Sequence, residues 1–321
     1  MKRLFLPLVM AALFFNVAQA QSLRLDFETR GGIMFDSNPH FYADFLSLKL
    51  RTDIAKGLSF TWKQRFNKSF TGPQPLNATD YVYLDYKAGD WTFSAGKQVL
   101  ECGGFEYDAP PIDLHFTTEY FTAINCYQFG VSVSKTFGNY RLVGQFCRSP
   151  YATLDTPESN SLKAFNLALH GTYGVGGWIP MYSLNLFEAA PGAYSFQFTL
   201  GNRFEIMKSL AFELDFLNRS APGSVSLFKD MSAVAYVSII PVEWCEIMLK
   251  GVYDRNVLWD DPLIQKGCSK WKAGIGVYFF PLKENKVIRL HCYYWHQPEG
   301  DFVQTGLTWR PTVLNLDFSK K

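Results

Sequence analysis

The feature that most constrains this chain is a two-residue period that returns along nearly its whole length. From Ser22 to Ile33, Leu23, Leu25 and Phe27 fall on one parity and Arg24, Asp26, Glu28 and Arg30 on the other. From Phe45 to Ile54, Leu46, Leu48, Leu50 and Ile54 oppose Ser47, Lys49, Arg51 and Asp53. From Gly57, Leu58, Phe60, Trp62 and Phe66 oppose Ser59, Thr61, Lys63, Arg65 and Asn67. Such alternation predicts strands with one face in an apolar medium and one in a polar medium. A soluble antiparallel sheet shows the same local pattern. A full ladder of charges such as Arg24-Asp26-Glu28-Arg30, however, suits a wide aqueous lumen.

The spacing of breaks predicts about sixteen strands: 22–33, 41–54, 57–68, 79–87, 90–99, 122–136, 139–149, 161–174, 177–188, 193–204, 209–218, 231–240, 243–253, 268–279, 286–296 and 301–318. Tight breaks at Ala55-Lys56, Ala88-Gly89, Gly138, Val175-Gly176 and Pro241-Val242 alternate with longer ones at 69–78, 100–121, 150–160, 219–230 and 254–267. Short turns at one end and long loops at the other are the pattern of an all-β transmembrane antiparallel barrel. Hydrophobic residues make up 48% of the chain, yet mean hydropathy is −0.06, so the apolar residues are dispersed among polar ones. No stretch after residue 20 approaches a spanning helix. Aromatics reach 17%. Trp62, Trp91, Trp178, Trp244, Trp259, Trp271, Trp295 and Trp309 lie near strand ends, where interfacial girdles are expected.

Residues 1–20 read as a cleaved export signal, leaving 21–321 as one barrel domain. Lys2 and Arg3 precede an apolar run from Leu4 to Phe15, and Ala18-Gln19-Ala20 supplies the small-x-small cleavage pattern. That run is too short to span a bilayer, which needs roughly 20 apolar residues. Removing Lys2 and Arg3 takes Lys plus Arg from 31 to 29, equal to the 29 acidic residues. A neutral mature chain without a basic tail gives no sign of nucleic-acid binding. The expected location is the bacterial outer membrane. Leu314, Leu316 and Phe318 alternate at the C-terminus, as a closing barrel strand would.

With a periplasmic N-terminus, the connection 100–121 is the third external loop and the longest in the chain. Loops of this length are usually functional or disordered. This one carries Phe105, Tyr107, Ile112, Leu114 and Phe116, which favour burial, and Gly103-Gly104 permits a sharp fold-back before Pro110-Pro111. The expectation is a loop folded into the barrel mouth as a constriction. A loop lying over the rim is the alternative.

Several short motifs resemble the phosphate-selective porin O and P family. They are Ser94-Ala95-Gly96-Lys97-Gln98 running into Gly103-Gly104-Phe105-Glu106-Tyr107, then Pro111-Ile112. Others are Glu213 to Arg219, Lys250 to Asn256, Tyr278 to Lys283 and Arg289-Leu290-His291. The resemblance implies a sixteen-stranded barrel, commonly a homotrimer in outer-membrane lipid, with an inward third loop, conducting small hydrophilic solutes or ions. It does not carry the substrate over. Phosphate-selective members have lysines at the constriction, whereas no Lys or Arg occurs between Gln98 and Ser134. Glu101, Glu106, Asp108, Asp113 and Glu119 fall there, with His115, and such a loop would repel phosphate. Basic residues lie on the lumen parity elsewhere: Arg24, Arg30, Lys49, Arg51, Lys63, Arg65, Arg141, Lys250 and Arg289. A basic wall opposite an acidic loop would orient polar solutes, and charge preference is left open.

Six cysteines in an exported protein suggest disulfides. Cys102, Cys126 and Cys147 are expected at one end of the barrel, with Cys102–Cys126 or Cys126–Cys147 as possible bridges. Cys245 and Cys292 share the apolar parity of their strands. His40, His115, His170, His291 and His296 lack metal-ligand spacing, and no cofactor is expected. No Ser/His/Asx grouping at a strand end supports nucleophilic catalysis, so no catalytic residue is assigned. The alternatives to a channel are a barrel enzyme acting on lipid and a non-conducting structural or adhesion barrel.

Overall fold

A computed structural model describes residues 21–69, 76–153, 161–174, 177–264, 266–282 and 286–318. The expected signal segment, its cleavage after Ala20 and the turn at Val175-Gly176 lie outside the described residues.

Period-two segments become strands where one face can be apolar and the other polar. The first six are β1 (Ser22–Phe35), β2 (His40–Ala55), β3 (Leu58–Arg65), β4 (Thr79–Ala88), β5 (Trp91–Val99) and β6 (Tyr127–Phe137). Then come β7 (Tyr140–Arg148), β8 (Lys163–Gly171), β9 (Trp178–Ala190), β10 (Ala193–Met207), β11 (Leu210–Arg219) and β12 (Asp230–Val242). The last are β13 (Cys245–Asn256), β14 (Cys268–Phe279), β15 (Ile288–Gln297), β16 (Gly300–Trp309) and β17 (Thr312–Asp317). Each of β1 to β15 pairs antiparallel with the next in sequence.

β1 closes the sheet. Its residues 29–35 pair with β16 and its residues 22–26 with β17. The expected last strand, 301–318, is therefore interrupted at Arg310-Pro311. Proline has no N–H for the ladder, and the Pro311 carbonyl instead accepts from the Phe27 N–H at 3.0 Å. The seventeen segments thus occupy sixteen positions of a closed antiparallel barrel, which has no free sheet edge.

Burial is inverted relative to a soluble protein. Leu84, Phe93, Val131, Phe146, Leu184, Leu214, Ile275 and Leu307 are exposed on the outer face. Lys63, Gln145, Asn166, Asn185, Gln197, Thr199, Lys250 and Arg289 are buried on the inner one. That is the arrangement expected when lipid is the outer solvent. Trp91, Trp178, Trp244, Trp271 and Trp309 are exposed, as girdle residues would be. Two tryptophans depart from that expectation. Trp295 has the inner parity of β15 and is buried against Phe116 and Phe302, and Trp259 is buried in an external loop.

The connection between β5 and β6 runs from Leu100 to Cys126, five residues beyond its expected end. It contains helices at Phe105–Asp108 and Glu119–Ala123 and a 3-10 turn at Pro111–Asp113. The second helix delays β6, because the Thr118 side chain caps it by accepting from the Phe121 N–H at 3.0 Å. The apolar core lies between this loop and the inner wall: Leu100, Tyr107, Tyr120 and Ile124 pack with Tyr151, Phe187 and Leu217.

Candidate functional site: the third loop and the lumen wall

The loop leaves β5 and follows the inner wall from β7 round to β1. At its start the Glu101 N–H donates to Gln145 Oε1 at 3.0 Å, and Glu101 Oε2 lies 2.7 Å from His170 Nε2. The Cys102 carbonyl accepts from Ser183 Oγ on β9 and Thr199 Oγ1 on β10, at 2.6 and 2.8 Å. Gly103 and Gly104 then turn the chain at φ 73 and 87, values that favour glycine. The N–H groups of Phe105 and Glu106 donate to the two carboxylate oxygens of Asp215 on β11, at 2.9 and 2.8 Å.

Across the lumen the loop meets β13 to β16. Glu106 accepts from Lys250 Nζ at 2.7 Å and from Thr118 Oγ1 at 2.6 Å, and Lys250 also donates to the Phe116 carbonyl at 2.8 Å. The Glu119 N–H donates to Asp254 at 2.9 Å, and its carboxylate lies 3.2 Å from Lys272 Nζ. At the tip, Asp113 accepts from Arg289 at 2.5 Å and from Arg310. Arg30 on β1 donates to the carbonyls on either side, Ile112 at 2.8 Å and Leu114 at 2.7 Å. His115 stacks on Tyr293 with centroids 3.9 Å apart, and its ring nitrogens lie 2.5 Å from Gln304 Oε1 and 3.0 Å from the Tyr278 hydroxyl. Among the described residues no hydrogen bond from the loop reaches β2, β3 or β4.

These contacts set the protonation of the loop tip. Burial alone would raise the Asp113 carboxyl, but Arg289 and Arg310 beside it outweigh burial and hold it below its usual value. Burial first, and then the Arg30 charge, push the His115 imidazole well below its ordinary range, so the ring is neutral near pH 7.

Two cavities flank the loop. One of about 460 Å³ is lined by Asp108, Tyr173, Glu213, Tyr236 and Glu246, and one of about 280 Å³ by Tyr83, Ser94, Asp108, Arg141 and His170. Asp108, exposed at the end of the first short helix, borders both.

The nine basic residues of the lumen parity divide into two groups. Arg30, Lys63, Arg65, Lys250 and Arg289 are buried and engaged with Asp44, Glu28, Asp80, Glu106 and Asp113 respectively. Arg24 is exposed and paired with Asp26. Lys49, Arg51 and Arg141 have no carboxylate at ion-pair distance among the described residues. The acidic loop also changes meaning in three dimensions. Glu101, Glu106, Asp113 and Glu119 each have a basic group within ion-pair distance. Asp108 has none among the described residues.

The cysteine expectation is corrected: Cys102, Cys126 and Cys147 are free thiols. All three belong to one apolar cluster. The Cys102 backbone is drawn toward β9 and β10 by Ser183 and Thr199, away from Cys147 on β7, whose Sγ lies 3.5 Å from Asn166 Nδ2. Sequence reasoning also missed Asp215, Asp254, Gln304 and Arg310 as loop anchors. The first three lie on the inner parity of their strands, which was a usable signal. Arg310 sits in the break between β16 and β17 and gave none.

Residues 18–150 match the profile of the family described as phosphate-selective porin O and P. The chain has the closed-barrel fold of outer-membrane porins. The matched region holds the motifs from Ser94 to Ile112 and the whole loop from Leu100 to Cys126. No curated protein matches the chain in sequence. Its fold is similar to that of the outer-membrane channel DcaP of Acinetobacter baumannii, with 13% identity, TM-score 0.62, and coverage of 91% of this chain and 96% of that one. It is also similar to a loop L8 deletion mutant of OmpT of Vibrio cholerae, with 11% identity, TM-score 0.61, and coverage of 91% and 100%. A mutant porin of Rh. blastica aligns with 11% identity, TM-score 0.58, and coverage of 90% and 100%.

Proposed function

We propose that the protein is an outer-membrane porin, a water-filled channel for small hydrophilic solutes, narrowed by residues 100–126, with a preference for anions. The observation that carries the charge preference is a pair of like-charge oppositions on the inner wall. Arg24 lies directly across from Arg51, and Lys49 directly across from Lys63. Asp26 and Glu28 already pair with Arg24 and Lys63, so Lys49 and Arg51 are the charges left to attract an anion. The wall carrying them is the part that the loop leaves uncovered. Asp108 faces the lumen from the loop, so a transverse field would orient dipolar solutes. The family resemblance supports a homotrimer in outer-membrane lipid.

Reversal potentials in planar bilayers under a salt gradient test the preference. The expected result is a potential of the sign set by anion flow, falling in size as ionic strength rises. A cation-selective potential would reject the preference while leaving the channel intact, and absence of conductance would reject both.

A further inference from the structure

An apolar groove of about 680 Å³ runs along the outer surface of β10 to β14. Its floor is Ala233, Ala235, Gly251 and Ala273, with Phe216 and Trp271 as walls. A Cβ placed on Gly251 would meet no atom within 4 Å, so the space over this glycine is open to an occupant. Its outer end is built by the loop between β11 and β12, which folds down over the lipid-facing side. Asn218 holds that loop, accepting from the Phe228 N–H and donating to the Ser226 carbonyl, both at 2.9 Å. Phe228 is held at φ 60, a conformation costly for a bulky side chain. Its ring lies 5.5 Å from Phe216 and is 59% exposed, extending the apolar surface outward.

Cations cap this apolar surface. Arg255 donates to the Phe228 carbonyl at 3.2 Å, and Lys229 is exposed beside it. Neither has a carboxylate at ion-pair distance among the described residues. A groove fitted to hydrocarbon and ended by uncompensated basic groups is complementary to one amphiphile: a lipid with a phosphate headgroup. We propose that this face binds a phosphorylated lipid of the outer leaflet, with an acyl chain over Gly251 and the phosphate on Arg255 and Lys229. Arginine suits the phosphate because its planar fork matches phosphate oxygens. Two basic groups at the groove's end, without a carboxylate at ion-pair distance among the described residues, favour an anionic headgroup over the apolar band of a second barrel. The inference is independent of what the lumen conducts.

The test is native mass spectrometry of the intact porin in non-ionic detergent, titrated with diphosphorylated lipid A and with the same lipid stripped of phosphate. Phosphorylated lipid should be retained and its stripped form lost. The double variant Arg255→Gln/Lys229→Gln should weaken retention about tenfold or more. Gly251→Leu fills the groove without a clash and should weaken it in a barrel whose heat-modifiable gel mobility is unchanged, so the test stands even if the double variant folds poorly. Equal retention of both lipids, variants that bind like wild type, or displacement by millimolar inorganic phosphate would each overturn the proposal. So would a multimer abolished by Gly251→Leu with no lipid attached.

Discussion

Arg289 and Asp113, 176 residues apart in sequence, meet at 2.5 Å where the tip of the third loop touches the seam of the barrel. Arg310 joins them from the break between β16 and β17, and Arg30 on β1 grips the carbonyls on either side. The strands that close the barrel therefore also hold the loop, and Arg289 and Arg310 share the one anion at its tip, Asp113.

Asp113→Asn should loosen the loop tip. It removes the charge facing two arginines, one of them buried, and an unpaired buried charge costs about 3 kcal/mol or more. The partial exposure of Asp113 lowers this to about 2 kcal/mol. The expected outcome is a larger and noisier single-channel conductance in an otherwise folded barrel. Unchanged conductance would show that Glu106 and Asp215 hold the loop without the tip.

Loop docking should weaken as pH falls. His115 is held below its ordinary value when docked, so the free loop binds the proton more readily. Docking stability is then lost progressively below about pH 6.5. Asp113 is also held below its usual value, and its contribution is present above about pH 4 and lost as pH falls through the depressed value. Amide hydrogen exchange over residues 100–126, corrected for intrinsic rates, should show protection falling from pH 7 to pH 5. In His115→Asn the part lost between pH 7 and pH 5 should disappear.

Neutralising the unpaired basic residues of the lumen should move selectivity toward cations. Lys49→Gln, Arg51→Gln and Arg141→Gln each remove a charge with no carboxylate partner at ion-pair distance among the described residues. A unit charge about 8 Å from a passing ion in water is worth about 0.5 kcal/mol, or about twofold in permeability ratio. Reversal potentials should shift in the same direction for all three.

Gly201 on β10 leaves room for the loop to approach. A Cβ there would come within 2.8 Å of Asp215 Oδ1 and 2.9 Å of the Met181 carbonyl, and it would crowd Gly104 at 3.2 Å. Gly201→Ala should displace Asp215 from the Phe105 and Glu106 N–H groups, at a cost of about 1–3 kcal/mol. Faster hydrogen exchange at these two amides, with the β10–β11 ladder still protected, is the expected signature.

Much of this was legible in the chain because a barrel strand is a local pattern. Alternation between Leu23-Leu25-Phe27 and Arg24-Asp26-Glu28 needs no distant partner to be read, and most strand ends fell within a few residues of their expected places. The misreadings came where a second influence overrode the period. The Thr118 cap turned the expected start of β6 into a helix, and Pro311 broke the last strand. Trp295 was grouped with the interfacial tryptophans although its parity pointed inward.

The sequence by itself determined a sixteen-position barrel with a polar lumen and one long loop, since parity and turn spacing are set by neighbours in the chain. Only the tertiary structure decided what the lumen charges do. Glu106 and Lys250 are 144 residues apart and Glu101 and His170 are 69 apart, so neither partnership leaves a trace in local spacing. Counted along the chain, the loop is acidic. Folded against β7 to β16 and β1, it has a basic group beside most of its carboxylates, and Lys49 and Arg51 are left on strands it does not bond.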